Sequence, residues 1–190
     1  MTIVSANRLV FSIWTIGFMI LSMDLHTILI LGHIVGTILG VGGATIAEVQ
    51  IVKALKDGKV DTSERELMHA NYFLIRVGTA LIVLSGIALV WWWVVAGGSN
   101  WPLTSPKVWV KEIITVAIII NAVALSRRWV PLWLGSAISF TSWWAATVLG
   151  VWKHVPYSFW TILAGYVVAI GLVAVALHYI RKFYLGRKSV

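Results

Sequence analysis

The chain has 190 residues, 59% of them hydrophobic, with a formal net charge of +8 and a mean hydropathy of +0.90. Several apolar runs are long enough to cross the roughly 30 Å hydrocarbon layer, so residues 1–190 read as a single integral membrane domain with the lipid bilayer as its first partner. The absence of cysteine excludes disulfides, thiolate metal sites and iron–sulfur clusters, and leaves His, Lys, Met, Tyr, Asp and Glu as the only side chains able to hold a metal or cofactor.

The expected fold is all-α, a polytopic transmembrane bundle of six helices, or five if the first lies in the interface. Ala6 to Met23 is apolar behind Arg8 and lacks the small-residue cleavage site of a signal peptide, so it reads as a retained first helix. At about 18 residues, roughly 27 Å, it barely spans. Asp24 is placed to N-cap a second helix from Leu25 past Glu48 to about Leu55. This stretch, LHTILILGHIVGTILGVGGATIAE, organises the rest. At 100° per residue, His26, His33, Gly40 and Ala44 fall within about 40° of one another, with Gly36 close beside them. Gly32, Gly36 and Gly40 make two overlapping GxxxG steps, extended by Gly43, a surface on which a neighbouring helix, a flat ligand or a second copy of the chain could sit.

Asp57-Gly58 signals a turn, and Ser63-Glu64-Arg65-Glu66 fits a capping box for a third helix that passes His69, Arg76 and Gly78 to Trp91, Trp92 and Trp93, read as an interfacial anchor. The last three helices are each expected to open at a proline, Pro106, Pro131 and Pro156, because the first turn has no intrahelical use for the missing N–H. They end at Arg127-Arg128, near Trp152, and at His178 before a basic tail of Arg181, Lys182, Arg187 and Lys188. Basic residues fall in short clusters between these spans, which is the pattern of membrane orientation and argues against nucleic-acid binding. From their asymmetry both termini are expected on the cytoplasmic side, and a bacterial or archaeal cell membrane is the expected location.

Ionisable and polar groups within a span are functional candidates by default. His26 and His33 lie on one face of the second helix about 10 Å apart along its axis, with Lys111 and Glu112 of the fourth helix at the level of His26. His69 and His178 form a second pair near the opposite ends of their helices, and Arg76 is placed to pair with Glu48. His33 stands out, because it sits inside the apolar span and needs a hydrogen-bond or metal partner. The resulting expectation is haem b in electron transfer or membrane redox chemistry. His26 or His33 would ligate iron, Gly36 and Gly40 would admit the porphyrin edge, and Arg76 or Lys111 would meet the propionates. His69 and His178 would hold a second haem if their helices were neighbours, and a quinone or other redox partner would exchange electrons. A metal-ion or small-solute transporter, with His26, His33 and Glu112 as successive ligands, and a non-catalytic membrane subunit are the alternatives.

A helix with LH followed by a glycine-rich half, a short charged loop, a helix ending in SGIAL and a helix opening with Trp109-Val110-Lys111 resembles the haem-containing bacterial protoporphyrinogen oxidases and the related copper-resistance D membrane proteins, over roughly Leu25 to Leu125. The resemblance implies functional roles for His26 and Lys111. The tyrosine- and arginine-rich segment of that family is replaced here by GVGGATIAE, so haem binding in a membrane protein, rather than the oxidase activity, is what the resemblance implies.

Overall fold

The computed structural model describes residues 24–57 and 61–186, with side chains for 24–54 and 61–183. The expected first helix, Ala6 to Met23, lies outside the described residues. Those described form α1 (Leu25–Asp57), α2 (Thr62–Trp91), a π-helical turn (Trp92–Ala96), the short α3 (Trp101–Thr104), α4 (Pro106–Ser126), α5 (Leu132–Val151) and α6 (Phe159–Gly186), with no strand among them. Five of these helices are long and apolar enough to cross a bilayer. The outward surface is a nearly continuous coat of aliphatic and aromatic side chains such as Ile38, Phe73, Ile87, Val116 and Leu172, which only lipid can solvate favourably. The protein is an all-α membrane bundle.

Caps fix where the helices begin. The Asp24 carboxylate accepts the Thr27 N–H at 3.0 Å and opens α1. Hydrogen bonds from Thr27 hold that carboxyl below its ordinary value, so the cap contributes at any pH above the usual carboxylate range and is lost only as strong acid protonates it. At α2 the cap is Asp61, whose carboxylate accepts from Glu64 N at 2.7 Å, and not the expected Ser63, which lies inside the first turn. Helix α4 opens at Pro106 as expected, and α5 at Leu132, immediately after Pro131. Helix α6 starts at Phe159 instead of Pro156, with the Ser158 hydroxyl accepting from Thr161 N at 3.3 Å. It also runs well past His178, which carries Arg181 into the bundle instead of a tail.

Helices α1 and α2 form an antiparallel hairpin that is the largest contact among the described residues, and α5 is the hub that packs on α1, α4 and α6. Most of the glycine ladder is used inside this framework. A Cβ added at Gly36 would meet Leu81 and Ile82 at 2.8 and 2.9 Å, and one at Gly78 would meet the Gly36 carbonyl at 2.8 Å and the Gly40 nitrogen at 2.9 Å, so the two backbones touch. A Cβ at Gly43 would strike Ile75, and one at Gly40 would strike the indole of Trp143 on α5, a side chain only 1% exposed. The expected use of Gly36 and Gly40 as a bed for porphyrin is therefore replaced by helix packing, and of the ladder only Gly32 remains open. Gly78→Ala should cost about 1–3 kcal/mol, because the added methyl meets the rigid backbone of α1, whereas Gly32→Ala should be neutral or mildly stabilising. Thermal denaturation of the two variants in one detergent checks the difference.

Polar side chains tie the layers together, as expected where lipid supplies no hydrophobic drive between helices. Asn121 donates to the Gly135 carbonyl at 2.7 Å between α4 and α5, Ser142 bonds the Tyr166 hydroxyl at 2.7 Å between α5 and α6, and Asn71 donates to the Gly43 carbonyl at 3.0 Å between α2 and α1. The expected Glu48–Arg76 pair is not formed. Arg76 is exposed, and Glu48 is paired instead with Arg181 at 2.7 Å, with both side chains less than one-tenth exposed. The same guanidinium donates to the Ser136 hydroxyl at 2.7 Å, so α1, α5 and α6 meet at one buried charge pair.

Candidate functional site

Helices α2 and α4 touch each other little, and at the His26 end the space between them opens into a cavity of about 460 Å³ bounded also by α1, α3 and α5. That volume is in the roughly 300–1,000 Å³ range of ligand and cofactor sites. Its walls are mostly aliphatic, and its polar lining includes His26, His33, Lys111 and Glu112. Trp143 lies along its boundary with the packed interior.

The antiparallel hairpin positions both histidines. With Gly78 of α2 set against Gly36 and Gly40 of α1, two further turns along α2 bring Ser85 opposite His33 and, beyond it, Trp92 opposite His26. The His33 Nδ1 lies 2.9 Å from the Ser85 hydroxyl, and its ring passes over Gly86, where an added Cβ would be 3.7 Å from Cε1. The Ser85 hydroxyl also bonds back to the Leu81 carbonyl, and having one proton it gives that proton there. With the Ser85 proton on Leu81, the hydrogen-bond network assigns Nδ1 of His33 as the donor to Ser85 and Nε2 as the nitrogen that keeps its lone pair. Among the described residues no protein group bonds that nitrogen. An imidazole with one nitrogen held by a hydrogen bond and the other left over can accept a further hydrogen bond or a ligand there.

The His26 ring lies 4.7 Å from the ring of Trp92 and 5.5 Å from that of Trp93, and Trp93 in turn meets Trp101 edge-on at 5.9 Å. Of the three tryptophans read as a lipid anchor, only Trp91 is fully outward; the π-helical turn rotates Trp92 and Trp93 toward His26. Two buried polar atoms that lack a partner, Nε2 of His26 and Nε1 of Trp143, belong to residues lining the cavity. Buried polar atoms are nearly always bonded, so a polar ligand or ordered water is the expected complement. The Lys111 ammonium makes no hydrogen bond or salt bridge among the described residues, and Glu112 follows it on the partly exposed side of α4.

No protein-family model matches this chain, and no match was found among curated proteins or solved structures.

The structure thus brings together His26, His33, Lys111 and Glu112, which the sequence places on two helices. Other candidates fall elsewhere. Gly36 and Gly40 face protein, Arg76 is exposed, and His69 and His178 are exposed on helices with different packing partners, α2 chiefly on α1 and α6 on α5. His178 lies on a surface depression with Trp133 and Tyr179, without His69. Among the described residues no three of His, Asp and Glu converge as an ion-holding cluster. Sequence reasoning missed Ser85, Trp143 and Arg181. Ser85 was within reach, since an antiparallel register centred on Gly78 and the ladder sets it against His33.

Proposed function

We propose that this membrane bundle binds one haem b in the cavity beside His33 and acts in electron transfer or redox chemistry at the membrane. The observation that carries the reading is the His33–Ser85 bond, which fixes one ring nitrogen and leaves the other unbonded in a ring that lines a ligand-sized cavity. The donor set fits the group: an imidazole to hold iron, the Lys111 ammonium to pair with a propionate, and apolar walls for the macrocycle. Haem bound there would supply one-electron chemistry. The chain's own part is to orient the His33 ring through Ser85, to neutralise an anionic edge through Lys111, and to shield the site from water behind Trp93 and Trp101.

His26 and His33 stand two turns apart on one helix, which favours His33 as the ligand and His26 as a polar wall. The meeting of His26 with Lys111 in one cavity also supports the reading, since these are the two positions that the resemblance to haem-containing membrane oxidases singled out. A second haem between His69 and His178 has no support from their placement. Transport has less support than haem binding, because Trp143 on Gly40 and the Gly36–Gly78 contact fill the interior beyond the cavity.

Titration of haem-free protein in detergent with haemin tests the reading. The Soret change should saturate at one equivalent per chain, and Lys111→Ala should weaken binding about tenfold while keeping the stoichiometry, in line with the loss of about 1.4 kcal/mol of charge pairing. A titration without saturation, with absorption that matches haemin in empty micelles, would overturn it.

A further inference from the structure

Beside the cavity lies a second hollow of about 420 Å³, on the lipid-facing side of the gap between α2 and α4, lined by the π-helical turn and α3 as well. The two share Ile87, Val90, Pro102, Val108 and Glu112, so they are separated by one layer of side chains. We propose that this lateral groove binds an isoprenoid quinol or quinone, with its ring against Glu112 and its tail lying in the bilayer. The proposal rests on the reading of the neighbouring cavity as a redox site.

The choice of occupant follows from the lining. Glu112 is the only ionisable residue of the groove, and everything else there is aliphatic, proline or tryptophan. A ligand that satisfies this wall is apolar over most of its length and offers a hydrogen-bond donor at one place, as a quinol hydroxyl does. Glu112 puts a carboxylate on this wall, so an uncharged head is favoured over a phosphate. Trp91 and Trp109 line the groove, and indoles favour a ring-bearing ligand over an acyl chain alone. The wall is also built in advance. Trp109 Nε1 donates to the Leu103 carbonyl at 2.8 Å, and both residues line the groove, so α3 is tied to α4 as one wall of the hollow, facing α2 and the π-helical turn. Opening toward lipid is what a ligand dissolved in the membrane requires.

The test uses the full chain in phospholipid nanodiscs and a photoreactive short-chain benzoquinone, with labelled peptides identified by mass spectrometry. Val94 lines the groove and not the cavity, so Val94→Trp should fill the groove, reduce labelling at least tenfold and leave haemin binding unchanged. Glu112→Ala should weaken competition by the reduced quinol more than by the quinone. Labelling concentrated on the Trp91–Val95 and Leu103–Glu112 segments, and competed by unlabelled quinone, supports the proposal. Labelling spread over all helices as expected for partition into lipid, or equal labelling of wild type and Val94→Trp, overturns it. Because haemin binding is read separately, loss of the haem reading alone would leave the labelling result standing on its own.

Discussion

With haem b held at His33 as proposed, His33→Ala should abolish b-type absorption, while His26→Ala should retain it with an altered band position. The asymmetry follows from the surroundings of the two rings. The hydrogen-bond network assigns His33 one tautomer, with the Ser85 hydroxyl donating to Leu81 and accepting from Nδ1, and Nε2 has no hydrogen-bond partner among the described residues. His26 is held by two indoles through its faces and edges, which fixes its plane but not its proton. Ser85→Ala isolates the orienting role. The ligand nitrogen survives, but the ring loses its hydrogen bond, so haem should still bind with roughly 10–100-fold weaker affinity, as seen when outer partners of metal-binding histidines are removed. The Ser85→Ala midpoint potential should shift as well, a readout that a purely structural serine would not move. Equal spectra for wild type and both histidine variants would place any haem elsewhere.

Arg181→Ala should destabilise the bundle by about 3–5 kcal/mol, the usual result of leaving one member of a buried ion pair without its partner. Glu48 is 6% exposed and Arg181 8%, and the guanidinium also carries the hydrogen bond to Ser136, so its removal strands a carboxylate among α1, α5 and α6. Double replacement, Glu48→Met with Arg181→Met, removes both charges and should recover much of that loss. Arg76→Ala should be nearly silent, since this exposed side chain has no part in the pair. The unfolding midpoints of these three variants in detergent check the ranking. A loss on Arg76→Ala as large as on Arg181→Ala would contradict the observed pairing.

The helices and their caps are legible in the sequence because they rest on local signals. Apolar length marks the spans, and Asp24, Pro106 and Pro131 mark helix starts by chemistry confined to one turn. The misplaced starts have local causes too: an aspartate two residues upstream outcompetes Ser63, and Ser158 caps α6 after Pro156. Pairing across the bundle is less visible. Glu48 and Arg181 are separated by 133 positions, and a cluster of basic residues after an apolar run reads as a tail unless the helix is known to continue. The glycine ladder shows that something comes close, but only the packing of Trp143 and Gly78 tells which element does. The polar cavity was half legible. His26, His33, Lys111 and Glu112 were marked by their depth, whereas Ser85 is a small hydroxyl in an apolar helix and acquires meaning only from the register of α1 on α2.

The most direct measurement is a reduced-minus-oxidised visible spectrum of the full chain purified from cells grown with ample haem, with haem quantified against protein. Haem binding at His33 predicts b-type bands at close to one haem per chain in the wild type and none in His33→Ala. A wild-type protein that is folded, as judged by its helical circular dichroism, and carries no b-type absorption would contradict it.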